Sequence, residues 1–524
     1  MKEYVPKTKP FRHQAEEFEL SKDLPARAIF WEQGTGKSKI TIDTAGHLYA
    51  SGKIDCVVVV APSGVHLNWV TDEIPTHLPD WIRAELCTHV YSTDRAPTKA
   101  HQAACERLRK HKGLAFLAIT YDAVKTQRAK ELLWALLQER KVLYVADESQ
   151  RIKTPKAERT QVAVKSAQYA PYRRILSGTP IAQGPFDVFS QVQFLDGKFW
   201  ERHELAPFTV FKSHFGIWKK QKTAGGRQFD MLVSYRRLGE LNELLGTISS
   251  RVTKEDVLDL PPKLYSRRYF EMTPEQRRIY ESLKNEFMAL MLGTGPCSNC
   301  GGTGRAEYDG FEGECPTCEG TGTALGGMVS AQLAIVRLLR LQQVLCGYVP
   351  VETFEEGKEP ELVELEGGNP RLALLADIVE DLPHQFIVFA RFRRDIDLIM
   401  RKMQELKIEA VRYDGALDED GRAASKKAFQ EGRAQAFVAN PAVASEGLTL
   451  VGAKTVVYYN NSFKLTERLQ SEDRAHRIGQ TDPVSYIDLA CPETVDIAVI
   501  DALRNKFDVA SQITGDRLKE WLHE

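Results

Sequence analysis

The sequence predicts an α/β protein built as two parallel-sheet lobes. Three observations carry that expectation. β-rich apolar runs alternate with helical stretches, a second cycle of the same kind begins near Asn369, and the first cycle alone carries a glycine-rich turn between strand and helix. At 524 residues the chain exceeds one hydrophobic core. Its 43% hydrophobic and 27% charged residues describe an ordinary soluble globular protein. The opening residues Met1 to Pro6 contain no apolar secretion segment, and no run is long enough to cross a bilayer, so a cytosol-like (cytoplasmic) compartment and no membrane partner are expected. A formal net charge of −1 leaves any attraction to a polyanion to local basic faces. Residues 218–222, 235–237, 267–268 and 391–394 are such clusters, each readable as a solvated face or as a phosphate contact.

The first strand-like run (Ala26, Ala28, Ile29, Phe30) leads into Gly34, Thr35, Gly36, Lys37 and Ser38, followed by an amphipathic stretch. A glycine turn between strand and helix aims several backbone N–H groups at one spot beside the positive end of the helix dipole, which is a seat for polyphosphate. Lys37 supplies a point charge for the outer phosphates, and the Ser38 hydroxyl is placed to ligate the magnesium that accompanies them. Only the G-x-G-K-S half of the pattern is present: Trp31 stands five residues before Gly36, where a glycine is usual.

Runs at 54–61, 114–119, 142–146 and 174–176 read as further buried parallel strands, with helical stretches between them such as 130–139. Each ends in a polar or glycine-bearing tail, including Pro62-Ser63-Gly64, Thr120-Tyr121-Asp122, Asp147-Glu148 and Ser177-Gly178-Thr179-Pro180. Open α/β sheets bind ligands at the carboxyl ends of their strands, so these tails line one crevice with the glycine loop. The second cycle has strands at 386–389, 409–413, 434–438, 456–459 and 484–489 and no phosphate loop of its own. A nucleotide held between two lobes follows. The domain division is 1–200 for the first lobe and 201–260 for a helical protrusion. A linker and second helical region at 261–368 comes next, with a cysteine-bearing insertion at 294–325; then the second lobe at 369–500 and a C-terminal helix at 501–524. Residues 212–246 and 274–291 read as helical and charged, 260–263 as a stiff proline linker, and 352–368 as an exposed acidic connection.

Asp147 and Glu148 follow an apolar strand, and two adjacent carboxylates there point in different directions. Asp147 suits the magnesium and its waters, and Glu148 suits polarisation of an attacking water. Arg474 and Arg477 lie three apart, on one face of a helical turn. Together they can neutralise charge building on a γ-phosphoryl group, or they can be surface arginines bridging Glu472 and Asp473.

The series Pro10-Phe11-Arg12-His13-Gln14, Gly34 to Ser38, Asp147 to Lys153, Leu176 to Pro180, Leu260 to Lys263, Glu446 to Leu450 and Gln470 to Gln480 resembles the Swi/Snf-type ATPases of helicase superfamily 2. That family also lacks the glycine at Trp31. The resemblance implies two RecA-like lobes with helical protrusions and ATP-driven translocation along double-stranded DNA without strand separation. Carried over by position, Gln14 recognises adenine and Gly34, Thr35, Gly36, Lys37, Ser38 and Gln470 complete the ATP-binding set. Glu148 is the general base, and Arg474 and Arg477 are fingers from the far lobe. Pro62, Thr120 and Gly447 fall in motifs that face the nucleic-acid backbone, while Ser177, Gly178 and Thr179 couple the two sites. Two departures stand out: residues 444–449 replace a glycine pair and an asparagine, and Thr154 stands where asparagine is common. A strand-separating DNA or RNA helicase is the nearest alternative, and a non-catalytic clamp binding nucleic acid or protein is the alternative from another class.

Cys56, Cys87, Cys105, Cys346 and Cys491 are scattered singly and read as reduced, mostly buried thiols. Cys297, Cys300, Cys315 and Cys318 form two C-x-x-C knuckles followed by glycines, able to surround a tetrahedral zinc. They resemble half of the zinc module of DnaJ-type chaperones. Such an insertion either staples a long excursion of chain or offers a surface to a protein partner.

Overall fold

Apolar runs without alternation must be buried on both faces, and the chain buries them as two parallel sheets flanked by helices. The computed structural model describes residues 3–63, 65–222, 228–292, 300–301, 303–308, 311–315, 320, 331–351, 361–444 and 448–514. Strands β1 (Ala26–Trp31), β2 (Cys56–Ala61), β3 (Leu86–Val90), β4 (Leu114–Thr120), β5 (Val142–Asp147) and β6 (Tyr172–Leu176) come from the first part of the chain. A hairpin of β7 (Gly216–Lys222) and β8 (Gln228–Tyr235) follows, then β9 (Ser249–Val252). All but the hairpin form one sheet in the order β3-β4-β2-β5-β6-β1-β9, with every pairing parallel. β2 is buried along its whole length, and separate apolar clusters cover the sheet's two faces.

The second lobe begins with β10 (Lys263–Tyr269). Two small hairpins follow, β11 (Arg305–Tyr308) with β12 (Phe311–Glu314) and β13 (Tyr348–Val351) with β14 (Glu361–Glu364). Then come β15 (Phe386–Phe389), β16 (Ala410–Tyr413), β17 (Ala436–Ala439), β18 (Thr455–Tyr458) and β19 (Val484–Ala490). The parallel order is β10-β19-β18-β15-β17-β16. These are the two RecA-like lobes that the sequence predicts. Among the described residues no helix is long and apolar enough to cross a membrane.

Several expectations need correction. Residues 212–246 are not continuously helical: Phe229, Met231, Val233 and Tyr235 alternate with other residues at the period of a strand, and the segment folds back on Gly216–Lys222 as a hairpin. The 201–260 segment also donates β9 to the first sheet, beside β1. β10 lies within the expected linker region yet joins the second sheet, and β14 lies within the expected acidic connection. The terminal helix runs Val495–Thr514 rather than starting at 501, and its Ile513 is buried in the apolar cluster of the first lobe's protrusion. That helix braces the two halves.

One buried ion network fixes the second lobe's business end. Arg468, in the helix Leu465–Glu472, donates to both Asp488 oxygens at 2.5 and 3.0 Å and to Glu472 at 2.8 Å, all three being essentially inaccessible to solvent. Burial alone would push the Glu472 carboxyl up, but Lys263 and Arg468 hold it down at about 2. Removing the cation leaves buried carboxylates without it. Arg468→Met is therefore expected to cost about 3–5 kcal/mol, read by denaturant unfolding. Because the folded carboxyl titrates below its ordinary value of 4.5, its contribution is complete above that pH and fades as pH falls towards about 2. Stability of the wild type should drop through that window and that of Glu472→Gln should drop less; equal profiles would show that Glu472 is not responsible.

Candidate active site

The glycine loop leaves β1 and enters the helix Lys37–Ala50 through two residues in left-handed backbone, Gly34 at φ 83° and Gly36 at φ 93°. A side chain at Gly36 would also strike Gln14, whose Nε2 lies 2.0 Å from where its Cβ would sit. Gln14 is buried, accepts from the Phe11 N–H at 3.0 Å and donates to the Thr35 carbonyl at 3.0 Å, so it props the loop directly. His13 joins the same carbonyl at 2.8 Å. Lys37 turns back over the loop, its Nζ donating to the Trp31 and Glu32 carbonyls at 2.9 and 3.2 Å. Burial lowers the Lys37 ammonium, opposed by the nearby charges of Glu148, Asp147 and Asp473. The Ser38 hydroxyl hydrogen-bonds Glu73, a carboxyl raised by its own burial.

Asp147 ends β5 and is nearly buried; its Oδ2 accepts from the Trp69 indole at 2.9 Å and its Oδ1 from the Glu148 N–H at 3.0 Å. Burial, then the neighbouring Glu148, pushes Asp147 up to about 7. Glu148 itself has left-handed backbone, φ 51°, at the entry to the short helix Ser149–Ile152. That conformation costs a non-glycine residue on the order of 1 kcal/mol, and it swings the two adjacent carboxylates apart. Glu148 accepts from Gln33 at 3.2 Å and from Gln150 at 2.6 Å, and Gln150 accepts from Ser177 at 2.6 Å. The Ser177 hydroxyl in turn accepts from the Thr179 N–H at 3.1 Å. The tails of β1, β5 and β6 are thus one hydrogen-bonded chain.

The second lobe reaches that chain. Arg474 Nη2 donates to Gln33 Oε1 at 2.9 Å, and Gln33 donates onward to Glu148. Arg474 and Arg477 both donate to the Leu448 carbonyl, at 3.3 and 3.0 Å. Lys254, just beyond β9, extends across the interface to Asp473 at 2.6 Å and the His476 carbonyl at 2.7 Å, while its own N–H donates to Glu32. Gln470, Asp473 and His476 line the resulting cleft opposite Gln33, Gly178 and Thr179.

A model of the SNF2-related domain matches residues 25–298, more than half of the 524-residue chain. The chain belongs to the SNF2-related family. A model of the helicase conserved C-terminal domain matches residues 370–479, the second lobe. This SNF2-related chain is similar to the ATP-dependent DNA helicase DDM1 of Arabidopsis thaliana, 23% identical over 497 residues, which is 92% of this chain and 58% of that protein. It is also similar to the DNA annealing helicase and endonuclease ZRANB3 of Bos taurus, at 24% identity over 97% of this chain and 40% of that protein. The chain therefore spans about half of these relatives' length. Among solved structures, a Sulfolobus solfataricus SWI2/SNF2 ATPase core in complex with dsDNA aligns over 98% of this chain and 96% of that one, with 21% identity and a TM-score of 0.39.

Of the expected nucleotide and catalytic residues, Gln14 and Thr35 are joined in the glycine loop, Lys37 lies near the charges of Asp147 and Glu148, Glu148 and Arg474 share Gln33 as a partner, and Gln470 lines the inter-lobe cleft. Arg474 and Arg477 do not share a helical turn as expected: the helix ends at Glu472, both lie in the turns and bends that follow it, and Arg477 is held on the Leu448 carbonyl. Pro62 is buried and accepts from the His66 N–H, and Thr120 caps the short turn after β4 by accepting from the Ala123 N–H. Gly447 lies outside the described residues, as do Cys297 and Cys318. Sequence reading did not single out Gln33, Trp69 or Lys254. Gln33 was within reach, as a polar residue inside the loop, whereas Lys254 pairs with a residue 219 positions away and leaves no local pattern. Lys254→Met should weaken the contact between the lobes, since it takes from half-buried Asp473 its nearest cation and leaves Lys263 at 3.9 Å. A larger radius of gyration in small-angle scattering is the expected result; an unchanged radius would mean the ion pair does not hold the lobes together.

Proposed function

We propose that this chain is an ATP-driven, DNA-stimulated motor that translocates on double-stranded DNA, displacing or remodelling what is bound there, by hydrolysing ATP between its two RecA-like lobes. The observation that carries the reading is the contact of Arg474 with Gln33, and of Gln33 with Glu148, because it joins an arginine of one lobe to the carboxylate best placed to act on water in the other. Lys37 binds the outer phosphates, Glu148 takes the proton of the attacking water, and Arg474 with Arg477 neutralises charge on the transferred group. Ser38 and Asp147 offer hard oxygen donors that would hold a magnesium ion, which would supply positive charge against the phosphates. Turnover then requires the lobes to meet, and release of the products lets them part. The chain of Glu148, Gln150, Ser177 and Thr179 gives the reacting end a path to the rest of the first lobe.

DNA as the track is supported by relatives named as DNA helicases. Exposed Lys219 and Lys220 on the β7–β8 hairpin, whose Trp218 stacks on Phe186 at 5.9 Å, offer a basic face of the kind phosphates attract. Duplex DNA is expected to raise ATP turnover severalfold or more. Glu148→Gln should still bind ATP without turning it over, and Arg474→Ala should lose on the order of a thousandfold in rate. Equal turnover with and without nucleic acid would sink the motor reading in favour of a clamp, and stimulation by RNA alone would move it to RNA. Triplex displacement without fork unwinding is expected; the reverse would identify a strand-separating helicase.

We also propose zinc at Cys297, Cys300, Cys315 and Cys318. Support comes from the described pair: Cys315 is buried, its N–H donates to the Gly304 carbonyl at 2.8 Å, and the Gly304 N–H donates to Cys300 Sγ at 3.3 Å, the kind of outer partner a thiolate ligand takes. Elemental analysis of Cys300→Ser should show one zinc fewer per chain than the wild type; an unchanged zinc content would remove the assignment.

A further inference from the structure

β3 is the outermost strand of the first sheet, at the edge opposite β9, and the helix Lys99–Lys110 packs beside it. His89 lies on β3. His101 and Cys105 are four apart on the helix and therefore share one of its faces. The donor atoms of these three side chains all lie within 4.8 Å of one another.

Cys105 Sγ is 3.5 Å from His89 Nε2. A tetrahedral centre with zinc–sulfur and zinc–nitrogen bonds of about 2.3 and 2.0–2.1 Å would separate the two donors by roughly 3.5–3.6 Å, so this edge already has the right length. The imidazoles of His89 and His101 meet at 4.7 Å with their planes 61° apart, and Tyr91 closes over His101 at 4.8 Å. His101 is only 7% exposed, and its Nε2 is buried with no hydrogen-bond partner. A cluster that merely filled space would have no reason to bring a buried ring nitrogen of this kind among two further donors, because an unsatisfied polar atom in the interior is costly.

We propose that His89, His101 and Cys105 form a zinc site in the first lobe, separate from both the nucleotide cleft and the paired cysteines. Imidazole and thiolate are the donors a borderline-soft divalent ion selects. Binding replaces the thiol proton of Cys105, which passes to solvent, by a sulfur–metal bond. Three protein ligands leave a fourth position for water, on the side of the cleft that Gln102, Glu106 and Glu131 line with His101 and Cys105. The ion would pin a helix to an edge strand that has a sheet neighbour on one side only.

The test uses the full chain carrying Cys300→Ser and Cys315→Ser, so that the other cysteine cluster does not contribute. Titration with cobalt(II) as a spectroscopic substitute should saturate at one ion per chain and give a thiolate-to-cobalt charge-transfer band. Cys105→Ser should abolish that band, and His89→Ala and His101→Ala should each weaken binding by at least the roughly tenfold that loss of an outer partner costs. Zinc should raise the melting temperature of the background protein and leave that of the Cys105→Ser variant unmoved. His89→Gln is the second variant should either helix substitution unfold the lobe, with ATP binding as the check on folding. Absence of a bound ion, or a count, affinity and spectrum indifferent to these substitutions, would overturn the proposal.

Discussion

A nearly buried arginine on one lobe and a glutamine in the phosphate loop of the other share a hydrogen bond, and the arrangement of the cleft depends on it. Arg474, in the turn after the helix Leu465–Glu472, donates to the Gln33 carbonyl oxygen, and the amide nitrogen of Gln33 donates to Glu148. The amide has one acceptor and one donor group, and each is committed to a different lobe. Orientation of the carboxylate is thereby linked to the position of the second lobe. Lys254 reinforces the geometry from the other direction, carrying a first-lobe cation to Asp473 and the His476 carbonyl on either side of Arg474.

Two neighbouring carboxylates acquire different characters from their surroundings. Asp147 closes a fully buried strand, is fixed by an indole N–H, and is pushed up to about 7 by burial and by Glu148. Glu148 is half-buried and accepts from two amide side chains, Gln33 and Gln150. A group that ligates a cation benefits from rigidity, and one that receives a proton benefits from adaptable partners. The left-handed backbone at Glu148 is what lets successive residues occupy such different settings, and the hydrogen bonds around it offset the strain.

Both lobes and most of their strands were legible in the sequence because buried parallel strands leave continuous apolar runs such as Val57 to Val60. The loop was legible because Gly34 and Gly36 adopt backbone that other residues avoid. What escaped notice lacked those signals. β9 and β10 are short or amphipathic edge strands carrying arginines, and the β7–β8 hairpin hides its period of two among charged residues. Single residues such as Trp69 and Lys254 gain their meaning from partners far along the chain, which no window of sequence contains. The His89, His101 and Cys105 cluster is of the same kind: helical spacing relates two members, but only the fold brings in the third.

The second lobe adds one further constraint. Arg468 is paired with Asp488 and Glu472, which ties the helix Leu465–Glu472 to β19 just before the two arginines. The Leu448 carbonyl accepts from both Arg474 and Arg477, while Arg474 also donates to Gln33 and to the Gln470 carbonyl. Leu448 directly follows Gly447, the residue that the family resemblance assigns to the nucleic-acid side. On the proposed function, a displacement of the backbone at that position alters one acceptor shared by two cations. Arg474 has two partners besides that carbonyl, so on the same proposal Arg477 is the one whose release depends most on it. On that proposal a track-dependent rate needs no long relay, because Gly447 is adjacent in sequence to the residue whose carbonyl accepts from both arginines.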